Sequence, residues 1–353
     1  MMISNPPAME RVLKDRVNAY PKNEILKRLM RPRQGTNLIV SEGEAALRQR
    51  RTFAPVFAPL DVFPQMQAAT CDFIFDLVLS GRDAVDRKCL RKSVDAFIAT
   101  QGRISLFDLL GAPNSIPRPY ELADRSRIKM DRLADCAITE RLARGPSDLP
   151  DLPDLMLTGD PDTGDALDRR SVRHNLLGFL CAGHEITALA LTWALYLLAF
   201  DPDVQKRVQD EVHAALTDRK TPDYGDLAHL PQVGRVIDET PRLSAPAGFL
   251  IRKALEDDEL SVTPVCAGMT IILPIHAKHR HRSIWENPDA LDPDRFLPER
   301  SAGRHRFAYL PFGGGPRICI GAALALQEAK TLLASVMARY SVLLQAGYKP
   351  IPQ

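Results

Sequence analysis

One stretch constrains the fold of this chain more than any other: Asn175 to Phe200, NLLGFLCAGHEITALALTWALYLLAF, an almost unbroken apolar run. Its length approaches the ~20 apolar residues that a bilayer-spanning helix needs. His184 and Glu185, however, sit near its middle. An acidic group at a bilayer centre costs roughly 2.5–3.5 kcal/mol even on a lenient insertion scale. The apolar run after them, Ile186 to Phe200, has the length of a core helix. The stretch reads as a long helix buried in a soluble protein, with a polar site halfway along and no membrane span.

A chain of 353 residues with 45% hydrophobic content can build a sizeable core around such a helix. A net charge of only +2 gives no general attraction for nucleic acid. The six cysteines, Cys71, Cys89, Cys136, Cys181, Cys266 and Cys319, are far apart and form no CxxC pair. That spacing argues against a disulfide framework and against a tetrahedral zinc site. The N-terminus, MMISNPPAMERVLKD, carries no apolar signal-peptide core, so the expected compartment is the cytoplasm.

The first two thirds of the chain carry helical periodicity. Gly43 to Phe57 is basic and amphipathic, while Leu60 to Leu79 and Pro119 to Ala143 repeat apolar residues at helical spacing. Asp201-Pro202 has the form of an N-cap followed by proline at the first helical position, opening a helix through Leu216. After Leu243 the texture changes. Phe249-Leu250-Ile251 and Thr270-Ile271-Ile272-Leu273 are short β-type runs. His276 to Pro316 then runs long and irregular, rich in Pro, Arg, His and Gly, and such a stretch inside a compact domain is usually functional. The expected architecture is a single domain over 1–353, mainly α with a small β portion.

The irregular stretch leads to FGGGPRICIG, residues 312–321. Three consecutive glycines permit close backbone approaches that other residues cannot make, Pro316 stiffens the loop, and Arg317 offers a fixed fork of donors. Immediately afterwards, AALALQEAKTLLASVMARY has strong helical periodicity. Cys319 is thus expected at a helix N-terminus, where the dipole favours a thiolate. A flat glycine loop presenting a thiolate suits the face of a haem.

FGGGPRICIG resembles the haem-binding loop of the cytochromes P450, Phe-x-x-Gly-x-Arg-x-Cys-x-Gly, at Phe312, Gly315, Arg317, Cys319 and Gly321. At average residue frequencies, five such matches arise by chance on the order of once in a few million start points. The resemblance implies the cytochrome P450 fold, haem b as cofactor, Cys319 as the axial ligand of iron, and Arg317 as a partner of a haem propionate. Thiolate ligation pushes electron density onto iron and favours O–O cleavage.

Other segments carry the same resemblance, which runs from about Val12 to Leu344. Glu239-Thr-Pro-Arg242 puts opposite charges three residues apart, on one helical face. It resembles the family's Glu-x-x-Arg helix, and LDPDRFLPER resembles the segment that supplies a second arginine, here Arg295. The resemblance implies that Glu239, Arg242 and Arg295 form a buried network bracing the cysteine loop. It also implies propionate-binding roles for Arg252 and for Arg50 in GEAALRQRRTFAPVF. Ala46 stands where the family commonly has a Trp donor, and Arg48 and Arg51 are candidates to face an acidic electron-transfer partner. Ala182-Gly183-His184-Glu185-Ile186-Thr187 resembles the oxygen-binding stretch of the central helix. Ala182 and Gly183 would leave room for dioxygen, and Glu185 would relay protons, assisted by water or by Thr187. Ile186 occupies the position of the family's usual threonine; Thr187 is its neighbour, turned about a hundred degrees round the helix.

Three departures share a direction. Pro241 lies inside the Glu239–Arg242 turn, where a helix-interior proline costs about 3 kcal/mol unless the turn is ending. The chain is expected to begin near the family's second helix, without the first helix and strands. YSVLLQAGYKPIPQ is expected to stop before the hairpin that closes the substrate cavity. Helices between Phe57 and the central helix look compressed. The expected function is a haem-thiolate monooxygenase that inserts one oxygen atom from O2 into a small apolar organic substrate. Its electrons would come from a ferredoxin- or flavodoxin-type donor and its reductase, because no flavin or iron–sulfur module is visible. A peroxide-driven oxidase and a non-catalytic haem-binding protein are the alternatives.

Overall fold

The computed structural model describes residues 2–25, 27–28, 37–53, 70–79, 93–94, 124–145, 151–159, 163–217 and 219–344, with the backbone alone at 51–53, 71–73, 76, 79, 124–126 and 184–185. The expected helical segments at 54–57, 60–69 and 119–123 and the C-terminal stretch 345–353 lie outside the described residues.

Near the N-terminus α1 (Pro6–Glu10) passes into a π-helical turn, Arg11–Asp15. Helices α2 (Gly43–Phe53), α3 (Thr70–Leu79), α4 (Asp124–Arg144) and α5 (Leu152–Thr158) precede the central α6 (Arg169–Phe200). Then follow α7 (Pro202–Leu216) and α8 (Pro231–Leu243). The chain switches to strands at β1 (Leu250–Lys253), β2 (Asp258–Leu260), β3 (Thr263–Val265) and β4 (Thr270–Leu273). Short α9 (Ile275–His279) and α10 (Pro298–Ser301) punctuate the irregular region before α11 (Ala322–Met337).

Local chemistry explains most of these boundaries. The Asp201 carboxylate accepts from Val204 N at 3.1 Å, and Pro202 fills the first position of α7, as the sequence predicts. Asp168 caps α6 through Ser171 N at 3.0 Å, and Asp151 with Asp154 forms a reciprocal capping box on α5. Helix α8 lacks a cap of its own; instead the Glu211 carboxylate on α7 accepts from Gln232 N at 2.7 Å and Val233 N at 2.9 Å. Strands β1 and β4 pair antiparallel, with Arg252 opposite Ile271, and β2 and β3 form a separate hairpin.

The described residues form three apolar cores, two of them built on α6. Its first half, with Val172, Leu176, Leu177 and Leu180, packs against α3, α4, α5 and Leu324 of α11. The N-terminal segment packs on the strands and on Phe307 and Leu310. The end of α6, with Ala194 and Leu198, joins α7, α8 and the rest of α11. The 32-residue α6 is long and apolar enough to cross a membrane by length and composition, with mean hydropathy 1.4. Both halves of the helix join apolar cores, but burial is not complete: beyond Glu185 the apolar side chains of Ile186, Leu189 and Phe200 are exposed.

Candidate functional site

The loop before α11 has little freedom in its choice of residues. Gly313 and Gly315 adopt φ of +74° and +70°, a left-handed region that side chains with Cβ resist. A Cβ on Gly315 would also overlap the Leu13 carbonyl oxygen of the π-helical turn. Gly315–Arg317 make one 3-10 turn, closed by Ile318 N donating to Gly315 O at 3.1 Å. The Phe312 carbonyl accepts from Cys319 N at 2.9 Å, and Gly321 O accepts from Ala325 N at 2.8 Å as α11 begins. Cys319 therefore stands at the entrance to α11 with an accessible face. Burial by the surrounding protein pushes its thiol pKa up, while the Gly321 N–H and the Arg50 guanidinium pull the other way. A coordinated metal deprotonates such a thiol outright.

Behind the loop lies a closed charge circuit. Glu239 and Arg242 are both fully buried and meet at 2.6 Å (Nε to Oε2), with a second bond of 2.8 Å (Nη2 to Oε1). Arg295 Nε approaches Glu239 Oε1 at 3.4 Å, and Asp292 N donates to the same oxygen at 3.0 Å. Arg242 spends its remaining donors on the carbonyls of His279 (2.9 Å), Pro288 (2.7 Å) and Ala290 (3.0 Å). Arg295 donates to the carbonyls of Asn287 at 2.8 Å and of Glu286. Pro241 falls in the last turn of α8, where the helix is ending, and its carbonyl is put to use. His279 Nδ1 lies 3.1 Å from Pro241 O, and its Nε2 accepts from Leu310 N at 2.8 Å. Burial lowers the His279 pKa to about 4, so the ring is neutral and links the end of α8 to the start of the cysteine loop.

A second charged cluster is open. Arg317 Nη1 donates to Tyr20 O at 3.1 Å and Nη2 lies 3.6 Å from Glu42. Arg252 donates to Ile251 O at 2.8 Å, while its buried Nε has no hydrogen-bond partner among the described residues. Burial, and then the neighbouring Arg317, lower the Arg252 pKa to about 10. Lys22 forms an antiparallel bridge with Arg252, and burial lowers its pKa to about 7. Glu42 also pairs with Lys27 at 2.7 Å. Half-buried Arg50 lies within electrostatic reach of Cys319. A thiol suited to a soft metal centre, beside desolvated cations in excess over carboxylates, fits a haem with its two propionates.

On α6 the residues separate by face. Ile186 is 46% exposed whereas Thr187 is 7% exposed, so the Thr187 side chain packs into the protein while the isoleucine is accessible. A Cβ on Gly183 would come within 2.6 Å of Ile74 Cδ1; its smallness serves the approach of α3. Ala182 is half-buried, and the Glu185 side chain lies outside the described residues. Arg48 sits 3.5 Å from Asp165, and the Arg51 side chain also lies outside the description. Sequence reasoning missed Lys22, Glu42 and His279. His279 had a visible signal in the run IHAKHRHR, but nothing there separates it from His276 and His281.

The sequence model described as "Cytochrome P450" matches residues 56–353. The chain belongs to the cytochrome P450 family. It is similar to the putative cytochrome P450 132 of Mycobacterium tuberculosis, 34% identical over 233 residues, 66% of this chain and 49% of that protein. It is also similar to the bifunctional cytochrome P450/NADPH–P450 reductase 2 of Bacillus subtilis, 39% identical over 226 residues, 62% of this chain and 21% of that one. Against the crystal structure of the cytochrome P450DA heme domain the TM-score is 0.79 with 26% identity, covering 95% of this chain and 80% of that one. The matched part thus spans about half or less of these two curated relatives. Family and fold give the cytochrome P450 architecture, haem as cofactor, and the general class of haem-thiolate monooxygenases that use dioxygen, a substrate and redox partners.

Proposed function

We propose that this cytochrome P450 inserts one oxygen atom from O2 into a small apolar organic substrate in the cytoplasm, with electrons from a separate ferredoxin- or flavodoxin-type protein and its reductase. The observation that carries this reading is Cys319, held at the entrance to α11 by a loop whose Gly315 no other residue can replace. Haem, when bound through that sulfur, supplies the activation of dioxygen that the protein's own side chains cannot.

The residues divide the remaining work. Phe312, Gly315 and Gly321 fix the loop, and Glu239, Arg242 and Arg295 hold it through the buried circuit and His279. Arg317, Arg252 and Arg50 orient the cofactor through its carboxylates. Ala182 and Gly183 keep the adjoining stretch of α6 slim. Exposed Ile186 and Leu189 offer apolar surface for substrate. Glu185 carries protons inward, and Thr187, whose side chain is buried, supports that stretch of helix from behind. The reduced carbon-monoxide difference spectrum of the purified protein tests the assignment, with Cys319→Ala as control. A long-wavelength Soret band lost in the variant is expected; a band at the position of neutral ligation overturns thiolate ligation. Product formation with NAD(P)H and redox proteins then tests the activity, and haem uptake with no product would select a binding protein instead.

Ile186, standing where the family usually has a threonine hydroxyl, favours one second reading, oxygen insertion driven by hydrogen peroxide, RH + H2O2 → ROH + H2O, which needs no proton delivery to bound dioxygen. Faster oxidation with peroxide alone than with redox partners would select it. Ile186→Thr should then raise partner-driven turnover relative to the peroxide rate.

A further inference from the structure

Asp258 on β2 belongs to neither charge cluster, yet its side chain is only 3% exposed. Both of its oxygens are occupied. Oδ1 accepts from Arg11 Nη2 at 2.6 Å and from Glu259 N at 2.8 Å, and Oδ2 accepts from the Tyr20 hydroxyl. Arg11 Nε lies 3.3 Å from each oxygen, so the guanidinium meets the carboxylate along its side. Arg16 Nη1 stands further off, at 3.7 Å. Charge-assisted bonds of this kind are strong and fix direction as well as distance. With the Arg11 bonds as the largest cause, they hold the Asp258 pKa well below the usual carboxylate range.

Both partners of Asp258 continue to the cysteine loop. Arg11 opens the π-helical turn Arg11–Asp15, closed by Arg16 N donating to Arg11 O at 2.8 Å. The Leu13 carbonyl of that turn faces Gly315 so closely that a Cβ there would lie 1.9 Å from its oxygen. Tyr20 is fully buried, and its backbone carbonyl accepts from Arg317 Nη1 at 3.1 Å. One carboxylate thus fastens two contacts, at residues 315 and 317, on the 3-10 turn directly before Cys319. The Glu239 circuit holds the other side of the loop, through His279 and Leu310. A clamp that served only to fasten the β2–β3 hairpin would need neither arm to end on that turn.

We infer that Asp258 is a positioning residue for the Cys319 sulfur, acting through Arg11 and Leu13 on Gly315 and through Tyr20 on Arg317. The inference rests on the reading of Cys319 as the haem ligand. A desolvated thiol gives up its proton because it coordinates a metal, and a ligand held loosely by its supporting residues coordinates less well. Loosening either arm therefore shifts the haem-loaded protein from thiolate ligation toward the neutral-ligand form.

The test reads the ratio of the two bands in the reduced carbon-monoxide spectrum of the full haem-loaded chain, alongside urea unfolding. Asp258→Asn is expected to raise the neutral-ligand form relative to the thiolate form about tenfold, the scale of one hydrogen bond to a charged group. Tyr20→Phe, which removes one arm and no charge, should shift the ratio the same way by less, and it decides the matter if Asp258→Asn fails to fold. Leu260→Ala is the control, a buried position on the same strand and in the same apolar core as Leu13. It should cost stability and leave the ratio as it is in the unaltered chain. A shift in Leu260→Ala as large as in the other variants, at equal loss of stability, would make Asp258 a structural residue and overturn the inference. An unchanged ratio in both Asp258→Asn and Tyr20→Phe would overturn it too. A neutral-ligand band alone in the unaltered chain would instead overturn the reading of Cys319, a failure visible before any variant is made.

Discussion

Glu239, Arg242 and Arg295 form one set of charges removed from water, and Lys22, Arg252 and Arg317 form another; the two are completed in different ways. In the first, both Glu239 oxygens are engaged, the forks of Arg242 and Arg295 end on backbone carbonyls, and Arg295 Nε, which makes no hydrogen bond among the described residues, still lies 3.4 Å from Glu239 Oε1. In the second, Arg252 keeps a buried Nε with no hydrogen-bond partner among the described residues, and one half-buried glutamate serves several cations. Low dielectric raises the cost of an incomplete set and the strength of a complete one. A closed set of charges therefore braces a fold, whereas an open one is poised to take a ligand of opposite charge. Both lie close to the cysteine loop in connectivity, the first through His279 and Leu310 and the second through Arg317 itself.

The comparison breaks first at Glu239. Glu239→Ala strands two buried guanidinium groups, which should cost about 3–5 kcal/mol and abolish haem retention; urea unfolding and haem content measure both. A loss under ~1 kcal/mol, the scale of an exposed pair, would show that the circuit is not a brace. The open cluster should behave in the opposite way. Arg252→Met removes a cation whose burial is already unfavourable, so the haem-free chain should keep or gain stability. Haem affinity should fall by about 1.5–3 kcal/mol, the worth of a hydrogen bond to a charged group. Parallel losses in stability and affinity would erase the distinction between the clusters.

How much of this was legible in the sequence follows from the distance over which each feature is decided. The α7 start at Asp201-Pro202, the β4 run Thr270–Leu273 and the glycine-cysteine loop depend on neighbours within a few residues, and all three are where the sequence places them. Glu239 and Arg242 were legible as a pair because three residues on a helix share a face. Lys22 and Glu42 were not, since their meaning comes from Arg252 and Arg317, more than two hundred residues away. The β2–β3 hairpin also escaped notice, being two three-residue strands within a charged segment, turned at Ser261 with φ of +61°. In α6 the apolar pattern runs through both halves, so periodicity could not tell that Ile186, Leu189 and Phe200 are exposed.

A smaller effect sharpens what an incompletely paired buried group costs. Glu328 on α11 is buried; its Oε1 has no hydrogen-bond partner among the described residues, and burial raises its pKa to about 8 against a hydrogen bond from Thr70. Its folded value lies above the unfolded one near 4.5, so the folded chain holds the extra proton between the two. The stability this contributes is fully present below the unfolded pKa and is lost as pH rises through about 8. Glu328→Gln, which mimics the protonated acid, should flatten that part of the pH–stability curve and stabilise the chain above neutrality by about 2 kcal/mol. An unchanged slope between pH 5 and pH 8 would mean that other groups set it.

The smallest expected effect tests whether the closed circuit depends on the far end of its own helix. Helix α8 carries Glu239 and Arg242 near its C-terminus, while its first N–H groups are satisfied from outside by Glu211. Glu211→Ala leaves Gln232 N and Val233 N without that acceptor and removes a negative charge from the positive end of the helix. Each is worth about a kilocalorie per mole or less, so the loss should be ~1–2 kcal/mol. If the circuit is self-contained, haem release should not change, because Arg242 and Arg295 are tied to the carbonyls of 279–290 independently of the first turn of α8. Release that accelerates in step with the stability loss would mean instead that α8 transmits strain along its length, and that the brace on Cys319 begins at Glu211.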